Sequence, residues 1–165
     1  MTSTEIDPST TALIIIDVQP EYWSLSPYTP YEIFPNFPSS IASLISTCRD
    51  KHDFRKIIWV RADYQHQHKK SLFLTEFEKL HGPNHVYPSI EPNESLSNLE
   101  WESFARPILT DDPDGKEIII AKPSICATTS TSLVSVLKQL GVQTALVAGL
   151  ITSVCVHHSA FGLFE

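Results

Sequence analysis

Four short apolar runs constrain this chain more than any other feature. They are residues 11–17 (TALIIID), 56–61 (KIIWVR), 116–121 (KEIIIA) and 144–148 (TALVA). Each is strand-length, and none shows the polar–apolar alternation of a strand with one wet face. Burial on both faces is the habit of a parallel sheet. Helical spacing recurs between the runs. Ile41, Leu44, Ile45 and Cys48 make one apolar face over residues 38–51, with Pro38 suited to the first helical position. Leu133, Leu137 and Leu140 do the same over residues 127–140, which stop at Gly141. Residues 71–80 read as a further short helix. The alternation predicts an α/β fold, a three-layer α/β/α arrangement around a mostly parallel sheet.

Length and composition bound the rest. The 165 residues, 42% hydrophobic and 19% charged, suit one globular domain spanning residues 1–165. A net charge of −7 without a run of lysine or arginine argues against nucleic acid and anionic membrane as partners. Three cysteines with no metal-type spacing point to free thiols in a reducing compartment. The polar N-terminus lacks the apolar core of a signal peptide, and no apolar run reaches membrane-spanning length. A cytosolic protein with a small-molecule substrate is the expectation. Five glycines leave little room for a phosphate-binding loop.

The chemistry gathers at the strand tips. In an open α/β sheet the ligand crevice lies at the carboxyl ends of the strands. Asp17 ends the first run and Lys122 the third. Val147–Val156 passes from a strand through Gly149 into a helix opening at Thr152 or Ser153. Cys155 then falls in the first helical turn, where unpaired N–H groups favour a thiolate and can hold an oxyanion. The thiol pKa is expected to fall there. Two plainer roles stay open: Asp17 as a turn residue and Lys122 as a solvated charge. Asp17 near a thiol can act as general base, and Lys122 can keep it ionised.

Residues 19–38 carry five prolines, so they form a loop rather than a long helix. Its aromatics, Tyr22, Trp23 and Tyr28 among them, either line a pocket or anchor the loop. Cys48 belongs to a helix face and reads as core. His157 and His158 follow Cys155, and His158 is one turn away, so a Cys–His dyad ranks below the Asp/Lys arrangement. Asp63, His66 and His68 raise a metal amidase as a further alternative to solvated loop histidines.

These residues carry a resemblance. IIIDVQ at residues 14–19, AKPS at 121–124 and AGLITSVCVHHSA at 148–160 resemble the isochorismatase-like cysteine hydrolases. The match runs from Thr11 to the end, apart from residues 63–110. It implies a catalytic triad of Asp17, Lys122 and Cys155, and a cis peptide at Leu150–Ile151. It also implies an oxyanion hole from the N–H groups of Ile151 and Cys155. Gln19, Tyr22, Trp23 and Leu150 would then border the substrate. The implied reaction is hydrolysis of a C–N bond through a thioester, with no cofactor, in a homo-oligomer.

Four departures qualify the resemblance. The Asp-x-His metal motif of nicotinamidases reads Asp63-Tyr64-Gln65. Family members that cleave the vinyl ether of isochorismate often lack the cysteine, so Cys155 favours C–N chemistry over that ether hydrolysis. The segment after the lysine reads Ser124-Ile125-Cys126, with Cys126 where relatives tend to carry an aromatic. Finally, relatives continue with two more strands and a helix where this chain stops, so the fold is expected to be C-terminally shortened. A shortened, inactive relative that binds a ligand or partner chain is the alternative from another class.

Overall fold

The four runs become the strands of one sheet in a computed structural model, which describes residues 6–23, 30–50, 54, 56–64, 72–82, 88, 107 and 117–165. They are β1 (Thr11–Ile16), β2 (Lys56–Ala62), β3 (Glu117–Lys122) and β4 (Thr144–Gly149). All pair in parallel, in the order β3-β2-β1-β4. The α-helices are α1 (Pro30–Ile33), α2 (Phe37–Asp50), α3 (Leu72–His81), α4 (Thr131–Gln139) and α5 (His157–Phe164).

Every residue of β1 is buried, as its unbroken apolar run requires. Alternate side chains feed two cores. Ala12, Ile14 and Ile16 join Ile58, Val60 and Leu133 of α4 on one face. Leu13 and Ile15 join Ile57, Trp59 and the α2 residues Ile41, Ile45 and Cys48 on the other. The α2 crossover therefore covers one face and the α4 crossover the other. That change of side accompanies the change of direction in strand order between β1 and β4. The crevice of such a sheet forms at this switch point.

Far from the crevice, the start of β3 is tied to the end of α2. Arg49 forks onto Glu117 at 2.6 and 3.1 Å, and the Trp59 indole N–H donates to the same carboxylate at 3.0 Å. Among the described residues, no helix is long and apolar enough to cross a membrane.

Two boundaries differ from expectation. Residues 127–140 divide into a 3-10 turn, Ala127–Thr129, and then α4. Hydroxyl side chains compete for the backbone there: Thr129 Oγ1 donates to the Cys126 carbonyl at 2.7 Å. Helix α2 starts at Phe37, which moves Pro38 to its second position. Gly141, at φ +66°, ends α4 as anticipated, and the Val142 N–H reaches the Leu137 carbonyl at 3.0 Å.

Gly149 is a packing requirement. It pairs with Ile16 at φ +134°, and an added Cβ would overlap the Ile16 carbonyl while lying 2.7 Å from its nitrogen. Gly141 has open space around its Cα. Gly149→Ala is expected to lower stability by about 3 kcal/mol or more. Gly141→Ala should cost about 1 kcal/mol, from backbone strain alone. Urea midpoints of the two variants measure the difference, and equal midpoints would contradict the close approach.

Candidate active site at the carboxyl ends of the strands

Strand β1 stops because its backbone turns. Asp17 adopts φ +50°, a left-handed conformation uncommon outside glycine, and the Gln19 N–H closes onto the Asp17 carbonyl at 2.8 Å. The parallel ladder runs to Ile16 opposite Val60, so the β1-facing groups of Ala62 lose their backbone partners. Gln19 replaces the missing rung. Its Oε1 accepts the Ala62 N–H at 2.7 Å, and its Nε2 donates to the Ala62 carbonyl at 3.1 Å. Each buried backbone group left unpaired would cost roughly 1–3 kcal/mol. The same Ala62 N–H lies 3.0 Å from Asp17 Oδ1.

The other Asp17 oxygen meets Lys122. Nζ lies 2.8 Å from Oδ2, and both side chains are fully buried. The contact is an ion pair, and the Cys155 thiol also hydrogen-bonds the Asp17 carboxyl. The ammonium also donates to the carbonyls of Ser124 at 2.9 Å and Ile125 at 3.3 Å. It also donates toward Cys155 Sγ at 3.6 Å. Lys122 is thus the last residue of β3 and wholly enclosed, which removes the solvated-charge reading.

Cys155 lies in a wide helical turn, Thr152–Val156, that runs into α5. The Ile151 carbonyl takes the N–H groups of Val154 and Val156 and skips that of Cys155. The Leu150–Ile151 peptide is cis. Ile151 is exposed, whereas Cys155 is buried.

Electrostatics correct one expectation. The Cys155 thiol is pushed up to about 12, by burial first and the Asp17 charge second. Lys122 and the helix mouth do not outweigh them. Burial also raises Asp17, against the opposing pull of Lys122. Lys122 is held above its usual range: burial opposes its charge, and Asp17 and Cys155 more than offset that. The resting site is a carboxylate–ammonium pair beside a neutral thiol.

A cleft of about 940 Å³ is walled in part by residues 149–153, the segment leading to Cys155; Asp17, Lys122 and Cys155 are not on its wall. Tyr22, Trp23 and Leu150 line it, with Phe34, Ile151 and His157. Trp23 packs on Phe37 with ring centroids 5.1 Å apart. Gln19 is fully buried and off this cleft's wall, with its amide paired to Ala62. This corrects its assignment as a pocket residue.

Neither histidine supports a dyad. His158 Nδ1 lies 2.7 Å from the Val154 carbonyl, and both rings are exposed rather than packed inside. Cys48 is core, and Cys126 Sγ sits 3.0 Å from Thr128 Oγ1 and 3.3 Å from the His158 carbonyl. Tyr28, His66 and His68 lie outside the described residues. Among the described residues, no group of three candidate metal ligands occurs.

Sequence reasoning missed Tyr64. It is buried just past β2, and it accepts a hydrogen bond from the Tyr22 phenol. Burial holds both phenols above their usual range; at Tyr64 the Lys122 charge opposes this, and at both the Asp17 charge adds to it. Its only sequence signal was its place beyond a strand tip.

The family profile described as "Isochorismatase domain" matches residues 11–165. No curated protein matches the chain. A cysteine hydrolase from Pseudomonas syringae pv. phaseolicola 1448A superimposes with a TM-score of 0.66 at 19% identity, covering 96% of this chain and 68% of that one. N-carbamoylsarcosine amidase from Thermoplasma acidophilum gives 0.62 at 18%, covering 93% and 75%. The pyrazinamidase/nicotinamidase of Streptococcus mutans UA159 gives 0.62 at 18%, covering 93% and 79%. These likenesses establish the fold. The chain spans about two thirds of the length of the first of these structures.

The raised thiol has a stability consequence. The folded protein keeps the Cys155 proton to about pH 12, whereas an ordinary thiol releases it near 9.0. Above that lower value the unfolded chain binds fewer protons, so stability falls as pH rises. Cys155→Ala should flatten this alkaline loss. Urea midpoints compared between about pH 8 and pH 10 test it. Parallel slopes in the two proteins would contradict the buried neutral thiol.

Proposed function

We propose a reaction from this premise: the chain belongs to the isochorismatase family of hydrolases. The reading is a cysteine hydrolase that cleaves the C–N bond of a small amide through a thioester. One observation carries it: a single buried ammonium holds the Asp17 carboxylate at 2.8 Å and the Cys155 sulfur at 3.6 Å. The names of two similar structures, an amidase and a pyrazinamidase/nicotinamidase, agree with C–N chemistry.

The proton begins on sulfur. Substrate displaces water from the cleft, and the thiol attacks the amide carbonyl while its proton passes to Asp17. Burial raises both groups, so the gap between them, which governs the transfer, widens by less than the thiol's shift alone. Lys122 keeps its charge throughout and stabilises whichever partner is anionic. The carbonyl oxygen becomes an oxyanion on the N–H groups of Ile151 and Cys155. The tetrahedral intermediate collapses, the C–N bond breaks, and Asp17 returns the proton to the leaving nitrogen. Water then attacks the thioester with Asp17 again as base. Carboxylic acid leaves, and the thiol is restored.

Cys155→Ala should lower amide hydrolysis by at least about a thousandfold while the fold is kept. A screen of small aryl and alkyl amides and ureides, with circular dichroism as the folding control, measures this. Mass spectrometry of rapidly quenched wild type should show an acyl adduct on Cys155. Hydrolysis at the wild-type rate by folded Cys155→Ala would sink the nucleophile assignment. No turnover by wild type across the screen, with ligand binding retained, would favour the non-catalytic binding alternative.

A further inference from the structure

The Ala62 N–H is shared between two acceptors. It lies 2.7 Å from Gln19 Oε1 and 3.0 Å from Asp17 Oδ1. Completing the β1–β2 ladder accounts for Gln19 as a folding residue. It does not account for the acid's share of the same donor. A carboxylate oxygen that takes a whole backbone N–H is a weaker base than one that takes part of it. Gln19 is fully buried, so water cannot take its place.

We propose that Gln19 is a positioning residue for proton transfer from Cys155 to Asp17: it holds the shorter half of the Ala62 N–H, limits what that donor gives Oδ1, and leaves Oδ2 toward the Lys122 ammonium. The inference rests on the Asp17–Cys155 reading above. The bonds made and broken are those already written; Gln19 acts on Asp17 through the Ala62 N–H they share. The titratable groups around Asp17 come from every neighbouring element. Lys122 ends β3 and Cys155 opens the last helix. Glu21 and Tyr22 follow β1, and Tyr64 follows β2. None of them takes the Ala62 N–H, so the Gln19 contribution is separable from theirs.

The test is a carbon-13 carboxyl NMR titration of Asp17 in wild type and Gln19→Met, which keeps side-chain length and removes the amide. The N–H then turns wholly to Oδ1, and the Asp17 midpoint should fall by about half a pH unit or more. Acylation of Cys155 by p-nitrophenyl acetate should slow about tenfold. A folded Gln19→Met protein with either value unchanged, whatever its melting temperature, overturns the inference. Should that variant fail to fold, wild type decides: the Ala62 amide proton must titrate together with Asp17, and an amide that ignores that titration overturns it. Failure of the underlying reading looks different, because folded Cys155→Ala would then keep its amidase activity.

Discussion

The Lys122–Asp17 ion pair is the constraint on which the rest of this molecule depends. Two opposite charges lie 2.8 Å apart with no exposure to water. Such a pair is tolerated only when its remaining donors and acceptors are met, since removing charges from water costs several kcal/mol per ion. The loop after β3 meets the ammonium with two carbonyls, and the β2 tip meets the carboxylate with an N–H. The third strand, the first strand and their connecting tips are therefore fixed against one another by charge as well as by packing.

That fixation explains why β1 ends as it does. A strand that ran on would carry Asp17 to one face of the sheet. A left-handed residue at that position instead turns the carboxylate toward β3, and the chain must then leave the ladder. Gln19 repairs the damage with a side chain shaped like a peptide group. Gly149 makes the same turn possible on the other flank, because β4 meets Ile16 too closely for any Cβ. Two local irregularities, one on each side of Ile16, thus serve a single arrangement of charges.

The neutral thiol follows from the same enclosure. Helix mouths and lysines normally depress a thiol, yet here burial and the neighbouring carboxylate win. A resting thiolate would leave two anions sharing one cation in a water-poor site. A neutral thiol beside an ionised acid keeps the charges balanced until a substrate carbonyl provides somewhere for negative charge to go.

The sequence by itself determined the layers. Four runs without alternation predict the strands of a parallel sheet, and the periodic segments between them its cover; β1 and β2 are buried almost throughout, β3 and β4 only in part. It also put Asp17, Lys122 and Cys155 at strand tips, because tip position depends on order along the chain. The tertiary structure alone decided how those groups behave. Enclosure, not residue type, raised the thiol and buried the lysine, and enclosure is a sum over segments distant in sequence. Gln19 moved from pocket wall to ladder rung for the same reason: its partner, Ala62, is 43 residues away, and no local pattern encodes which backbone groups a turning strand will leave unpaired.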